Sequence, residues 1–194
     1  MNVALRKPMS RADFLVWVER QEAPYEFDGF QPVAMNGGNL RHHRLIGNIF
    51  AHLRDRLAGK RCQPLGPGAG VATAGNAVGY PDAVVTCSPI DDEALLVPDP
   101  VVVFEVLSPN SVRRDRVVKL REYQAVGSIR RYVIVEAGEI AVTVMFRDAG
   151  GELFRTVGLG EGEVLDLPEI GIELPLAEIY QGIAFASPDS PADA

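Results

Sequence analysis

The sequence predicts an α/β fold, a central mixed β-sheet flanked by helices, on three observations. The run Val101-Val102-Val103-Phe104-Glu105-Val106-Leu107 is rich in Val and bounded by Pro100 and Ser108-Pro109. That is the pattern of a strand buried on both faces. Two stretches, His42 to Leu57 and one running from about Asn110 to Val126, carry apolar residues at helical spacing. Residues 140–147 and 151–157, either side of Asp148-Ala149-Gly150-Gly151, read as a meander of strands.

In chain order, residues 10–21 begin with a capping Ser10 and are expected to be helical. Residues 25–35 are expected to form a short hairpin turning at Asp28-Gly29. In the helix from His42 to Leu57, the apolar side holds Leu45, Ile46, Ile49, Phe50, Leu53 and Leu57. Gly66-Pro67-Gly68-Ala69-Gly70 separates two short strands; it lacks the lysine and spacing of a phosphate loop and reads as a turn. Residues 81–87 and 100–107 pair antiparallel across the loop 88–99, so residues whose numbers sum to 187 face each other. Asn110 or Ser111 caps the next helix, which stops at Gly127. Tyr132 to Glu136 is a further strand, and Ser187 to Ala194 a Pro/Asp/Ser tail expected to be disordered. No repeat is seen, and residues 1–186 are expected to form a single domain.

Composition narrows the function classes. With 194 residues and 47% apolar content, the chain can bury a substantial core. No stretch reaches the roughly 18 apolar residues of a membrane span, and the N-terminus lacks a signal-like apolar region. A cytoplasmic protein without membrane partners is expected. Cys62 and Cys87 show no Cys-x-x-Cys or zinc-type spacing and are expected to be buried thiols. The net charge of −7 is poor for non-specific DNA binding. Residues 111–131 nevertheless hold seven Arg or Lys against Asp115 and Glu122, and Arg41-His42-His43-Arg44 adds a second cluster. A basic cleft in an acidic body and an ordinary solvated helix face both fit that pattern.

The chemistry centres on Glu105. An ionised carboxylate in a doubly buried strand costs roughly several kcal/mol unless compensated. Asp82 and Glu105 sum to 187, and opposed residues share a sheet face with Cβ atoms about 5 Å apart. Such a pair suits a shared divalent cation; an Arg or Lys holding a buried Glu is the other compensation. Lys119 lies about eight residues into the helix, roughly 12 Å along its axis. Glu105 lies three residues before Ser108, roughly 10 Å back along its strand. If the helix folds back over its strand, Lys119 comes level with the carboxylates. Asp115 is one turn earlier and Tyr123 one turn later on the same face, although an Asp115–Lys119 surface pair at i,i+4 is also consistent.

Proline-aspartate, a strand carrying glutamate and a nearby lysine resemble the pattern of PD-(D/E)xK nucleases. More narrowly, Pro81-Asp82, Phe104-Glu105-Val106-Leu107-Ser108-Pro109-Asn110-Ser111, Arg114-Asp115, Lys119, Tyr123 and Gly127 resemble the bacterial Uma-type restriction endonucleases. Tyr25-Glu26-Phe27-Asp28-Gly29 and His42 with Ile46-Gly47-Asn48-Ile49 look like that family's N-terminal pattern, so the resemblance spans roughly residues 10–180. It implies a restriction endonuclease-like core and hydrolysis of DNA phosphodiester bonds with Mg²⁺ or Mn²⁺. Asp82, Glu105 and the Val106 carbonyl would hold the metal, and Lys119 would orient the attacking water or stabilise the transition state. Glu26 resembles the superfamily's helix-borne auxiliary acid, and His42 either touches phosphate or serves as a hydrogen-bonding residue at a helix start. DNA is the expected partner, with a homodimer or higher homo-oligomer as the expected assembly.

Two departures stand out. Leu107 occupies the place of the superfamily's Glu-x-Lys lysine, which the family is thought to replace by a lysine on the following helix, here Lys119. Tyr132-Val133-Ile134-Val135-Glu136 stands where the family tends to have Tyr-Trp-Ile-Val-Asp. The displaced lysine, the acidic pI and the lack of a separate recognition domain favour a second reading, a weakened nuclease fold serving as a binding or assembly module in a defence or mobile-element system. A hydrolase of some other substrate is remote, because Ser108 lacks a Gly-x-Ser-x-Gly context.

Overall fold

The computed structural model describes residues 8–35, 37–107, 113–147 and 154–185, with the backbone alone for residues 113–116 and 154. Helix α1 (Arg11–Val18) starts at a reciprocal capping box. The Ser10 hydroxyl accepts the Asp13 N–H at 3.1 Å and the Asp13 carboxylate accepts the Ser10 N–H at 3.3 Å, satisfying two otherwise orphaned donors. Strands β1 (Tyr25–Phe27) and β2 (Pro32–Ala34) form the expected hairpin. Its turn is held by the Asp28 side chain, which accepts the N–H groups of Phe30 and Gln31, while Gly29 takes a φ of 90° that a Cβ would disfavour. Helix α2 (Leu40–Leu57) begins two residues before His42 because the Asn39 side chain caps it, accepting the His42 N–H at 3.0 Å.

Four short strands follow: β3 (Gln63–Leu65), β4 (Val71–Ala72), β5 (Val78–Gly79) and β6 (Ala83–Thr86). The long strand β7 (Pro100–Leu107) leads to α3 (Arg113–Gln124), then β8 (Arg131–Glu136), β9 (Val142–Arg147) and β10 (Phe154–Leu159). A hairpin, β11 (Val164–Leu167) and β12 (Ile172–Pro175), and the short α4 (Leu176–Ile179) complete the described chain. The predicted cap at Asn110 or Ser111, the turn at 148–151 and the tail 187–194 lie outside the described residues.

The main sheet has six strands in the order β10-β9-β8-β7-β6-β3. β7 and β8 are parallel and the other pairs antiparallel, so the sheet is mixed, and α3 is the crossover that a parallel pair requires. β6 and β7 pair Ala83↔Phe104, Val84↔Val103 and Val85↔Val102, all in the register summing to 187, before a bulge at Val85/Thr86. A second sheet, β2-β1-β5-β4, was not foreseen beyond its first hairpin.

Alternation along β7 sends Val102, Phe104 and Val106 toward α2, where they join Leu45, Ile49, Leu53, Leu165, Leu167 and Leu174. Val103 and Leu107 face the other way, into a cluster with Tyr123, Ile129 and Tyr132. Burying each such side chain contributes roughly 1.5–3 kcal/mol, so β7 is the slab through which both layers are held.

The cysteines are not free thiols. Cys62 and Cys87 form a disulfide with a Cα–Cα separation of 3.9 Å. They continue the β3–β6 register one step beyond Gln63↔Thr86. Nothing in the local pattern lays β3 against β6, and without that pairing the two cysteines cannot be matched.

Tyr180 ties the C-terminal segment to the sheet. Its hydroxyl lies 2.8 Å from the Ala141 carbonyl and 3.0 Å from that of Glu136, and it accepts the Ala141 N–H at 3.2 Å. Tyr180→Phe removes these part-buried hydrogen bonds and should lower stability by about 1 kcal/mol in urea denaturation. An unchanged midpoint would show that the hydroxyl does not fasten this end of the fold.

Candidate functional site

The odd-numbered face of β7 that carries Val103 and Leu107 also carries Glu105, which is 4% exposed. Two residues of α3 meet it. Lys119 Nζ lies 3.1 and 3.3 Å from the two carboxylate oxygens, and the Tyr123 hydroxyl donates to Oε1 at 3.1 Å. The i,i+4 spacing sets both on one helix face. Tyr123 reaches the carboxylate past Gly79, where an added Cβ would sit 2.8 Å from the phenol oxygen. From the second sheet, Glu26 on β1 places Oε1 2.9 Å from Lys119 Nζ. One ammonium therefore lies between two carboxylates drawn from two sheets.

Asp82 immediately precedes β6. Its N–H donates to the Phe104 carbonyl at 3.1 Å and its Oδ2 accepts the Val106 N–H at 2.7 Å, which carries the ladder on by a side chain where the strand has ended. The carbonyl of a strand residue leaves on the same edge as its N–H, so the Val106 carbonyl also faces the Asp82 side. His42, in the first turn of α2, brings Nε2 to 3.6 Å from Asp82 Oδ2. Its Nδ1 is buried without a hydrogen-bond partner, against Gly38, where a Cβ would approach to 2.3 Å.

Burial dominates the electrostatics. It pushes Glu105 up to about 7, against the opposing pull of Lys119, with the charges of Asp82 and Glu26 adding to the rise. Burial also raises Asp82, in spite of the Val106 N–H and the neighbouring His42 and Lys119. The repulsion expected between the two carboxylates is thus real for Glu105 but smaller than desolvation. For Lys119 burial acts to lower the pKa, yet Glu105 and Glu26 together outweigh it and the net shift is upward. Tyr123 is raised well above its ordinary value, first by burial and then by the Glu105 charge. It stays a phenol and therefore a donor.

The structure brings together Asp82, Glu105, Val106, Lys119, Glu26, Tyr123 and His42. Glu26 arrives on a strand, whereas the superfamily residue it resembles is helix-borne. Asp115 falls in the first turn of α3, and its side chain lies outside the described residues. Among the described residues, no three His, Cys, Asp or Glu side chains gather as a metal cluster. Two of the basic residues noted in the sequence serve the fold. Arg41 donates to the carbonyls of Ala137 and Ala184, and Arg131 pairs with Glu169 at 2.6 Å. Sequence reasoning overlooked Tyr80, whose pKa is raised by burial and by Glu26; its position next to Pro81-Asp82 was the available signal.

A family model described as Uma2, putative restriction endonuclease, matches residues 11–177. A protein of Synechocystis sp. described as uncharacterized is 28% identical over 180 residues, covering 91% of this chain and 94% of its own. The crystal structure of a protein from Anabaena variabilis, described as a putative nuclease belonging to DUF820, superposes with a TM-score of 0.71 at 15% identity. The match covers 89% of this chain and 98% of that one. At that identity the likeness is one of fold.

The pKa of Glu105 sets a pH dependence. Below its ordinary value of 4.5 the group is protonated whether the chain is folded or not. Between there and about 7 the folded chain holds a proton that the unfolded chain has released, so stability falls as pH rises. Above that window the loss is constant. Glu105→Gln should flatten this slope in EDTA and melt higher than wild type at about pH 8. Parallel melting profiles for the two proteins between about pH 5 and 8 would refute a strained Glu105.

Proposed function

From a chain that belongs to the Uma2 putative restriction endonuclease family, we propose a Mg²⁺- or Mn²⁺-dependent endonuclease that hydrolyses DNA phosphodiester bonds at Asp82, Glu105 and Lys119. The observation that carries this reading is a shortage of positive charge. Glu26 and Glu105 share one ammonium, Asp82 stands beside them, and Glu105 is still pushed up to about 7. A divalent cation is the compensation that this set lacks. The donors suit a hard cation, because they are carboxylate and carbonyl oxygens. Mg²⁺ is commonly bound through one or two carboxylates together with waters and substrate phosphate, so a third acid is not required.

Asp82, Glu105 and the Val106 carbonyl would hold the cation. Bound there, it would polarise the scissile phosphate and lower the pKa of an attacking water. Lys119, kept charged by two carboxylates, orients that water or steadies the charge developing on the phosphate. Glu26 fixes the ammonium, Tyr123 fixes the Glu105 carboxylate, and His42 with the Val106 N–H fixes Asp82. A second reading, the binding or assembly module, is favoured by one fact: Lys119 and Tyr123 already satisfy Glu105 without a metal.

The test combines melting temperatures with and without millimolar Mg²⁺ or Mn²⁺ and incubation with labelled DNA. A cation bound to the folded state should raise the wild-type melting point by mass action. Glu105→Gln should fold, show no cation shift and cleave nothing. Lys119→Met should keep the cation shift and lose cleavage by about 100-fold or more. Cations that shift neither wild type nor Glu105→Gln, or both equally, would exclude a metal site and leave the module reading.

A further inference from the structure

Asp82 and His42 line a cleft of about 750 Å³ that runs from the candidate site between the second sheet and the loop joining β6 to β7. Its size falls in the range of small-molecule sites, roughly 300–1,000 Å³. Two half-buried aromatic rings form part of its wall, Tyr25 and Tyr80. Both are braced by the fold. Trp17 meets Tyr25 edge-on with ring centroids 4.9 Å apart. One edge atom of the Tyr80 ring lies 3.3 Å from where a Cβ on Gly70 would sit, so the missing side chain leaves room for the ring there. Much of the remaining wall is apolar, including Leu95, Leu96 and Val97.

Charge decides what such a cleft admits. Among the described residues, no Lys or Arg lines it, and Glu19, Asp91 and Asp92 do. A phosphate chain entering there would lose hydration beside these carboxylates and Asp82, with the imidazoles of His42 and His43 as the countercharge on offer among the described lining residues. A neutral, flat heteroaromatic ring meets apolar walls, aromatic faces on which bases stack, and carboxylates able to accept from an exocyclic amino group. Asp82 belongs both to this cleft and to the site where the scissile phosphate would bind, so ring and phosphate would be neighbours on one strand.

We propose that the cleft receives an unpaired nucleobase next to the scissile phosphate, which makes the substrate class single-stranded, gapped or flipped-out DNA rather than intact duplex. A paired base is enclosed in its stack and reaches such a pocket only when extruded. This inference rests on the nuclease reading above.

Binding is measured without cleavage, on the full chain in Ca²⁺, with four short oligodeoxynucleotide probes. They carry 2-aminopurine at one central position, the same base in full duplex, the same base in a gapped duplex, and an abasic residue at that position. Fluorescence of the single-stranded and gapped probes should be quenched by stacking, and the abasic strand should bind about 10-fold more weakly. Tyr80→Leu and, on an exposed position, Leu95→Asp should weaken the base-bearing strand by a similar factor and leave the abasic strand unchanged. Equal affinity for duplex, abasic and base-bearing probes overturns the proposal, as does equal weakening of all probes by both variants or no binding of any probe. Cation-dependent cleavage of intact duplex alongside such a result would sink the base pocket and spare the nuclease.

Discussion

A carboxylate buried in the middle of β7 is the constraint that the rest of this end of the molecule answers. Desolvating an ionised carboxyl group costs roughly several kcal/mol, and the protein meets that cost with an ammonium, a phenol and a neighbouring strand end. The compensation is partial. Lys119 lies within hydrogen-bond distance of both oxygens, yet Glu105 still sits near 7, so burial wins over pairing. The rise has burial as its first cause, with the charges of Asp82 and Glu26 adding to it.

The two faces of the sheet divide the labour. On the α2 side, even-numbered residues of β7 meet a wide apolar layer closed by the β11–β12 hairpin and α4. On the α3 side the apolar layer is smaller, and the charged residues lie where it ends. Glu26 comes from a different sheet, the one in which β1 pairs with β2 and β5. The site therefore sits at a seam between two sheets, which is also where the cleft opens. The wider apolar layer covers one face and the Glu105–Lys119–Glu26 cluster lies on the other, so the charged cluster can be costly without unravelling the core.

Local geometry was legible in the sequence and distant pairing was not. A hairpin fixes its own register, so the pairs from Ala83↔Phe104 to Val85↔Val102 follow from counting residues, whereas Asp82 lies just outside β6 with its N–H on the Phe104 carbonyl. The rise of a helix and of a strand placed Lys119 level with Glu105. Glu26 was another matter: its strand touches β5 through a single pair, Phe27↔Val78, fifty-one positions apart in the chain, and its candidacy came from a family resemblance. Cys62 and Cys87 were misjudged because the antiparallel placement of β3 on β6 follows a long excursion through β4 and β5. Tyr80 went unnoticed because its importance depends on the second sheet, which periodicity did not reveal beyond its first hairpin.

Because the ammonium is carried by a helix and the carboxylate by a strand, their separation is set by how α3 seats on the sheet. Tyr123 is part of that seat, packed at 1% exposure against Tyr132 with ring centroids 5.1 Å apart. A slide of α3 by a single residue's rise, roughly 1.5 Å, would lengthen the 3.1 Å contact of Lys119 with Glu105 while leaving every strand in place. The buried ion pair thereby depends on the seating of one helix, whose outer side leaves Val117 and Val118 each 44% exposed.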